Sequence, residues 1–345
     1  MRPDARTAFL LAFLKSREAG LVTRGHADRL ASARENKDLL KVLRDTEIGG
    51  ALAGAPDRGA HDRDRLLWSH LADTVEGLLA QPFFPSDAAI FGRAYLLKYD
   101  VANLKTAISA LALEDKPVFR PIGILHSRDL LDPLAACESI QDVSEILGRA
   151  SLESFRSAIA GLKPSAGPRA PFAAEASLDS EYYRLLTDAS RRLGEGEVTA
   201  MACGLMIDLA NLSLVFRALI IGIGAAASRR LISGGYLLGP QTLHDCLSQP
   251  MQDVPRRMEH PPYREIASEI VDAWKESEAI SIPDVIIEKH RLVALRGILS
   301  PRLAPGSAMA WFLIVKEIEI RNIRLLLQAV DDGVAFEDIR PLLLF

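Results

Sequence analysis

Three of the four asparagines in the chain stand in one short pattern: Asp100-Val-Ala-Asn103-Leu104, Asp208-Leu-Ala-Asn211-Leu212 and Glu319-Ile-Arg-Asn322-Ile323. The copies fall 108 and 111 residues apart, close to a third of the 345-residue length. Chance placement of acidic and Leu or Ile residues would match three of four asparagines about once in ten thousand trials. A second set of matches lies upstream, where Asp38-Leu39, Asp142-Val143 and Asp253-Val254 precede the later acid by 62, 66 and 66 residues. Apolar residues recur five positions on, at Leu43, Leu147 and Met258, and ten positions on, at Ile48, Leu152 and Tyr263. Order, spacing and character repeat together, so the chain reads as three copies of one unit: 1–113, 114–228 and 229–345.

Around the asparagines the pattern is helical. Counted from the acid, apolar residues stand at +1 (Val101, Leu209, Ile320), +4 (Leu104, Leu212, Ile323), +8 (Ile108, Phe216, Leu327) and +11 (Leu111, Leu219, Val330). That is one face of a 3.6-residue period. Acid and Asn, three apart, are neighbours on such a helix, and an Asn there costs helix propensity unless its amide finds partners. Asp100, Asn103, Asp208, Asn211, Glu319 and Asn322 are therefore assigned a structural role, each Asn pinning a neighbouring element. Arg6–Arg17, Ala60–Leu79, Ser180–Leu193, Arg264–Glu276 and Val285–Leu299 carry the same i, i+3/i+4 spacing, and strict alternation is scarce. Pro and Gly gather at Lys163–Pro171, Ser233–Pro240 and Pro301–Gly306, which read as loops. The expected fold is all-α, with three similar helical domains.

With 49% apolar and 25% charged residues the chain is globular, and its net charge of −4 gives no general attraction for nucleic acid. Cys137, Cys203 and Cys246 are too few and too scattered for a disulfide framework or a Cys-x-x-Cys motif. The apolar run Ala8–Leu14 is followed by charge where a signal peptide needs small residues, and secretion is not expected. Leu212–Ala227, broken by Arg217, falls short of the roughly 20 residues needed to span a bilayer, so membrane association is expected to be peripheral.

No Gly-Lys pair exists to build a P-loop, and Gly-x-Ser-x-Gly is missing. Gly222-x-Gly224-x-x-Ala227 imitates a dinucleotide fingerprint, but it continues an apolar helix and reads as a helix stop. The seven histidines lack ligand spacing, and Asp331-Asp332-Gly333 reads as a polar helix end instead of a calcium loop. The basic pairs Arg191-Arg192, Arg229-Arg230 and Arg256-Arg257 read as solvated or acid-paired faces. No catalytic, cofactor-binding or metal-ligating residue is assigned, and neither a cofactor nor a small-molecule substrate is expected.

The stretches Tyr95–Lys105, Met206–Leu212 and Lys316–Arg324 resemble the three signature helices of the C subunit of the archaeal and bacterial A/V-type ATPases, related to the d subunit of the eukaryotic vacuolar enzyme. Asp45–Leu52 resembles the family's first-repeat Thr-Tyr-Gly-x-x-Leu segment with Ile48 in place of the aromatic, and Gly333–Leu343 resembles its closing tail. The basic residue often found nine positions after the acid is present as Arg217 but replaced by Ser109 and Gln328, and the glycine-rich Ile221–Gly224 run is unlike the usual charged sequence. The resemblance implies a non-catalytic, funnel-shaped protein of three helical units around a pseudo-threefold axis. It also implies a place on the cytoplasmic face of the membrane, between the proteolipid rotor ring and the central shaft of the D and F subunits, and it assigns no contact residues. The rival reading is a helical-repeat scaffold unrelated to rotary ATPases; a dinucleotide-binding enzyme ranks behind both.

Overall fold

A computed structural model describes residues 5–30, 36–53, 59–81, 84–113, 115–160, 170–193, 196–277, 279–302 and 304–344. Helix follows helix throughout, and no strand occurs among the described residues. In chain order the α-helices are α1 (Ala5–Ala19), α2 (Arg24–Leu30), α3 (Asn36–Leu43), α4 (Glu47–Leu52), α5 (Ala60–Leu79), α6 (Ser86–Leu113), α7 (Ile124–Ser127), α8 (Leu131–Ala135) and α9 (Ile140–Arg149). They continue with α10 (Glu153–Ile159), α11 (Ala170–Ser190), α12 (Gly196–Ile220), α13 (Pro240–Leu247), α14 (Val254–Arg257), α15 (Pro261–Ser277), α16 (Ile282–Leu299), α17 (Pro305–Asp331) and α18 (Phe336–Ile339). The chain forms two compact units, one of Met1–Gly92, Arg120–Gly123 and Arg302–Phe345, the other of Arg93–Phe119 and Ile124–Pro301.

The five further helical stretches read from periodicity fall on α1, α5, α11, α15 and α16, with Ser180–Leu193 overrunning α11, which ends at Ser190. The fit at α11 is partial: the helix opens ten residues before Ser180, because Ala170–Asp179 is rich in alanine, the strongest helix former. The Pro301–Gly306 loop is also shorter than expected, since Pro305 occupies the first turn of α17, where its missing N–H costs nothing. Of the expected loop Lys163–Pro171, residues 163–169 lie outside the described residues and the rest begins α11.

The acid–Asn motifs sit on the three longest helices, α6, α12 and α17, of 28, 25 and 27 residues. Both α12 and α17 bury side chains on nearly every face, as a helix enclosed by its neighbours must. In the second unit α12 packs between α11 and α16; in the first, α17 packs against α1, α3 and α5. Among the described residues α12 alone is long and apolar enough to cross a bilayer, yet 72% of its apolar window is buried inside the protein. Its boundaries differ from the Leu212–Ala227 run: the helix starts at Gly196 and stops at Ile220, where Gly222 takes φ +70° and the Ile223 N–H turns back to the Ala218 carbonyl.

The upstream motif positions all point inward. Leu39, Val143 and Val254, then Leu43, Leu147 and Met258, then Ile48, Leu152 and Tyr263 are all buried. Local chemistry fixes these segments. Ser139 caps α9 by accepting from the Asp142 N–H at 3.2 Å, while Asp142 accepts from the Glu138 N–H, just before the cap, at 3.0 Å. Thr46 caps α4, and a side chain at Gly49 would meet the Leu43 carbonyl oxygen at 1.9 Å, so only glycine passes there.

Candidate functional site

The three acid–Asn helices each grip a backbone segment outside the helix itself. On α6 the Asp100 carboxylate accepts from the N–H groups of Ile124 at 3.1 Å and Leu125 at 2.8 Å. On α12 Asp208 accepts from Tyr236 at 3.1 Å and Leu237 at 2.7 Å, and from the Tyr263 hydroxyl at 2.7 Å. On α17 Glu319 accepts from the Val22 N–H at 2.8 Å. The grips of α6 and α12 thus fall on segments downstream of those helices, and the grip of α17 falls on one far upstream. The approach at α12 is close: a side chain at Gly235 would meet Asp208 Oδ1 at 2.1 Å.

The asparagines add two-way clasps. Asn211 donates from Nδ2 to the Ile232 carbonyl at 2.8 Å and accepts from the Ile232 N–H at 2.8 Å. Asn322 makes the same pair with Leu344, accepting from its N–H at 3.1 Å and donating to its carbonyl. An amide engaged through both ends matches a peptide group donor for acceptor, which is why Asn serves here and Asp would not. Asn103 is equally buried.

Five positions after each acid, a polar side chain reaches an aspartate on another long helix. Lys105 pairs with Asp179 on α11, Ser213 hydrogen-bonds Asp284 on α16, and Arg324 pairs with Asp64 on α5. Arg324 also lies 4.9 Å from the centre of the Trp68 ring, whose indole N–H donates to Asp64 at 3.2 Å. In chain order, α6 reaches α11, α12 reaches α16 and α17 reaches α5. Nine positions after the acid, Ser109 and Arg217 converge on one carboxylate, Glu175, at 3.2 and 2.7 Å. Gln328 instead donates to Asp332 at 2.8 Å, within its own helix end.

The electrostatics of the three acids differ. Burial pushes the Asp100 carboxyl up to about 6, with the Leu125 and Ile124 amides pulling the other way. Burial likewise raises Asp208 against its backbone donors and Tyr263. Glu319 has a cation beside it: Lys316, one turn earlier and fully buried, donates to Oε2 at 2.6 Å. Lys316 also lies 3.9 Å from Glu47, which pairs with Arg17. Burial, with Lys316 adding to it, pushes the nearby His70 down to about 4, so its ring is neutral near pH 7.

No group of three or more His, Cys, Asp or Glu able to hold a metal occurs among the described residues. Gly222–Ala227 has the geometry of a helix stop running into a 3₁₀ turn, Gly224–Arg230. A side chain at Gly224 would strike the Leu247 carbonyl at 2.6 Å, so packing explains the glycine that a phosphate loop would otherwise account for. Sequence reasoning found the acids and asparagines but missed Tyr263, Lys316, Glu175 and the three aspartates. Tyr263 had registered only as an apolar position, and nothing in its spacing announces a hydroxyl aimed at Asp208.

Residues 10–342 match the profile of the ATP synthase (C/AC39) subunit family. The A-type ATP synthase C subunit of Methanothermobacter thermautotrophicus is 24% identical over 319 residues, covering 88% of this chain and 80% of the relative. The C subunits of the A-type ATP synthases of Pyrococcus abyssi and Methanocaldococcus jannaschii are each 22% identical, covering 96% and 98% of this chain and 88% and 86% of their own lengths.

Proposed function

Because the chain belongs to the ATP synthase (C/AC39) subunit family, and is thus a non-catalytic C subunit of the A/V-type rotary ATPases, we propose that it couples the central shaft to the membrane rotor. In this reading one rim docks on the cytoplasmic loops of the proteolipid ring and the opposite opening receives the end of the D–F shaft. The protein sits peripherally on the cytoplasmic face and serves ion transport without chemistry of its own.

The observation that carries the proposal is the directional pairing of the three signature helices, first repeat to second, second to third and third to first. Backbone grips at Ile124, Tyr236 and Val22 and side-chain pairs at Asp179, Asp284 and Asp64 all follow that order. A cyclic order of this kind supports three similar domains, 1–113, 114–228 and 229–345, around a pseudo-threefold funnel axis. It also suits a torque-bearing part, because buried, fully bonded junctions between close-packed helices resist slip and spread load over several contacts. The test is co-purification of the full chain with the D–F pair and, separately, with the detergent-solubilised proteolipid ring. Retention of both is expected; retention of neither overturns the reading in favour of an unrelated helical scaffold.

A further inference from the structure

We propose that the groove between α14 and α15 binds an anion carrying two or more phosphoryl groups. The groove is a cavity of about 500 Å³ within the second unit, and one wall of it is a single face of α15: Arg264, Ser268, Val271, Asp272 and Lys275, at i, i+4, i+7, i+8 and i+11. Gln252, from the 3₁₀ turn before α14, and Arg256, on α14 itself, line the opposite side. Three cations therefore share the groove with one carboxylate, in a chain whose net charge is −4. Positive charge gathered in a concave place on an otherwise acidic protein focuses the field there and draws anions to it.

The donors are in a state to be used. Arg264 is already held, since its Nε and Nη2 donate to the Met258 carbonyl at 3.0 and 2.9 Å, which fixes the guanidinium plane and leaves Nη1 without a partner in the chain. A guanidinium fixed beforehand loses less freedom when a ligand arrives. Arg256 and Lys275 are engaged only in exposed pairs on their own segments, with Asp253 at 3.4 Å and Asp272 at 2.8 Å, and such pairs are weak enough for a phosphoryl group to displace. The Gln252 amide and the Ser268 hydroxyl make no side-chain hydrogen bond within the chain and add neutral donors to the groove. The cavity between α5 and α17, of about 470 Å³, also gathers three arginines, but there Arg63, Arg324 and Arg321 bond Asp331, Asp64 and the Leu342 carbonyl, so their charge is spent inside the chain.

Length sets the class of ligand. Arg264 and Lys275 stand at the two ends of a stripe that rises about 16 Å along α15, farther apart than one phosphoryl group bridges. Between them Val271, 5% exposed, gives an apolar seat to whatever links the phosphoryl groups.

This site stands or falls separately from the shaft-and-ring reading. It is tested on the intact chain by calorimetric titration with tripolyphosphate in about 0.1 M salt, which screens attraction beyond about 10 Å, and by flotation with phosphatidylcholine vesicles containing or lacking cardiolipin, a lipid with two phosphates in its headgroup. Saturable one-to-one binding of tripolyphosphate is expected, weakened at least tenfold by Lys275→Gln and by Ser268→Asp and unchanged by Arg191→Gln, which removes an exposed cation outside the groove. Flotation with cardiolipin that falls with the same two variants would support the site with a lipid headgroup as its ligand, and tripolyphosphate binding without flotation would support it with a soluble one. Failure of both probes to bind saturably, or a loss from Arg191→Gln equal to that from Lys275→Gln, would overturn it.

Discussion

The α12 and α17 junctions solve one problem with different chemistry. Each buries a carboxylate that must bind backbone N–H groups in a place water does not reach. Asp208 meets neutral donors, the Tyr236 and Leu237 amides and the Tyr263 hydroxyl, all downstream of α12. Glu319 has one amide and the Lys316 ammonium, and its longer side chain reaches a segment from the far end of the polypeptide. At Asp208 the partners are dipoles alone, and burial raises the carboxyl against them. At Glu319 one partner is a full positive charge on the same helix, one turn away.

The sharpest way to break this contrast is Lys316→Met. It leaves Glu319 buried without its cation, and a loss of about 3–5 kcal/mol is expected in urea unfolding, largely recovered when Glu319→Gln is added. A loss below about 1 kcal/mol from the single change would mean the ion pair is not what seats the carboxylate. The next effect comes from acid held by dipoles alone. Asp100 is raised from 3.8 to about 6, so its carboxyl favours the folded state when protonated. Its contribution is fullest below about pH 4 and is lost as pH rises through about 6, worth up to about 3 kcal/mol. Unfolding of wild type and Asp100→Asn across pH 4–7 should show that slope in the wild type only; parallel curves would refute it. The smallest effect, about 1.5 kcal/mol, is expected for Tyr263→Phe, which deletes one donor to Asp208 and leaves the Tyr236 and Leu237 amides in place. An unchanged unfolding midpoint would remove Tyr263 from the set.

Much of this was legible in the sequence because periodic burial is a local property. The +1, +4 and +8 positions could be read from spacing within α6, α12 and α17, and all nine side chains are buried. Gly222 could be read as a helix stop for the same reason. What spacing could not reveal were partners far along the chain. Val22 and Glu319 are 297 residues apart, and no pattern on either side points to the other. The polar side chains five positions after the acid escaped notice because they are Lys105, Ser213 and Arg324, alike in place and partner but not in kind. Ser109 looked like a departure from a basic position, yet the carboxylate it reaches, Glu175, accepts a hydroxyl as it accepts the Arg217 guanidinium.

The grips of Asp100, Asp208 and Glu319 on their loops are made to main-chain N–H groups, which every residue but proline carries. Side chains at 22, 124, 125, 236 and 237 can therefore change in kind without unmaking these bonds, and proline alone would delete one outright.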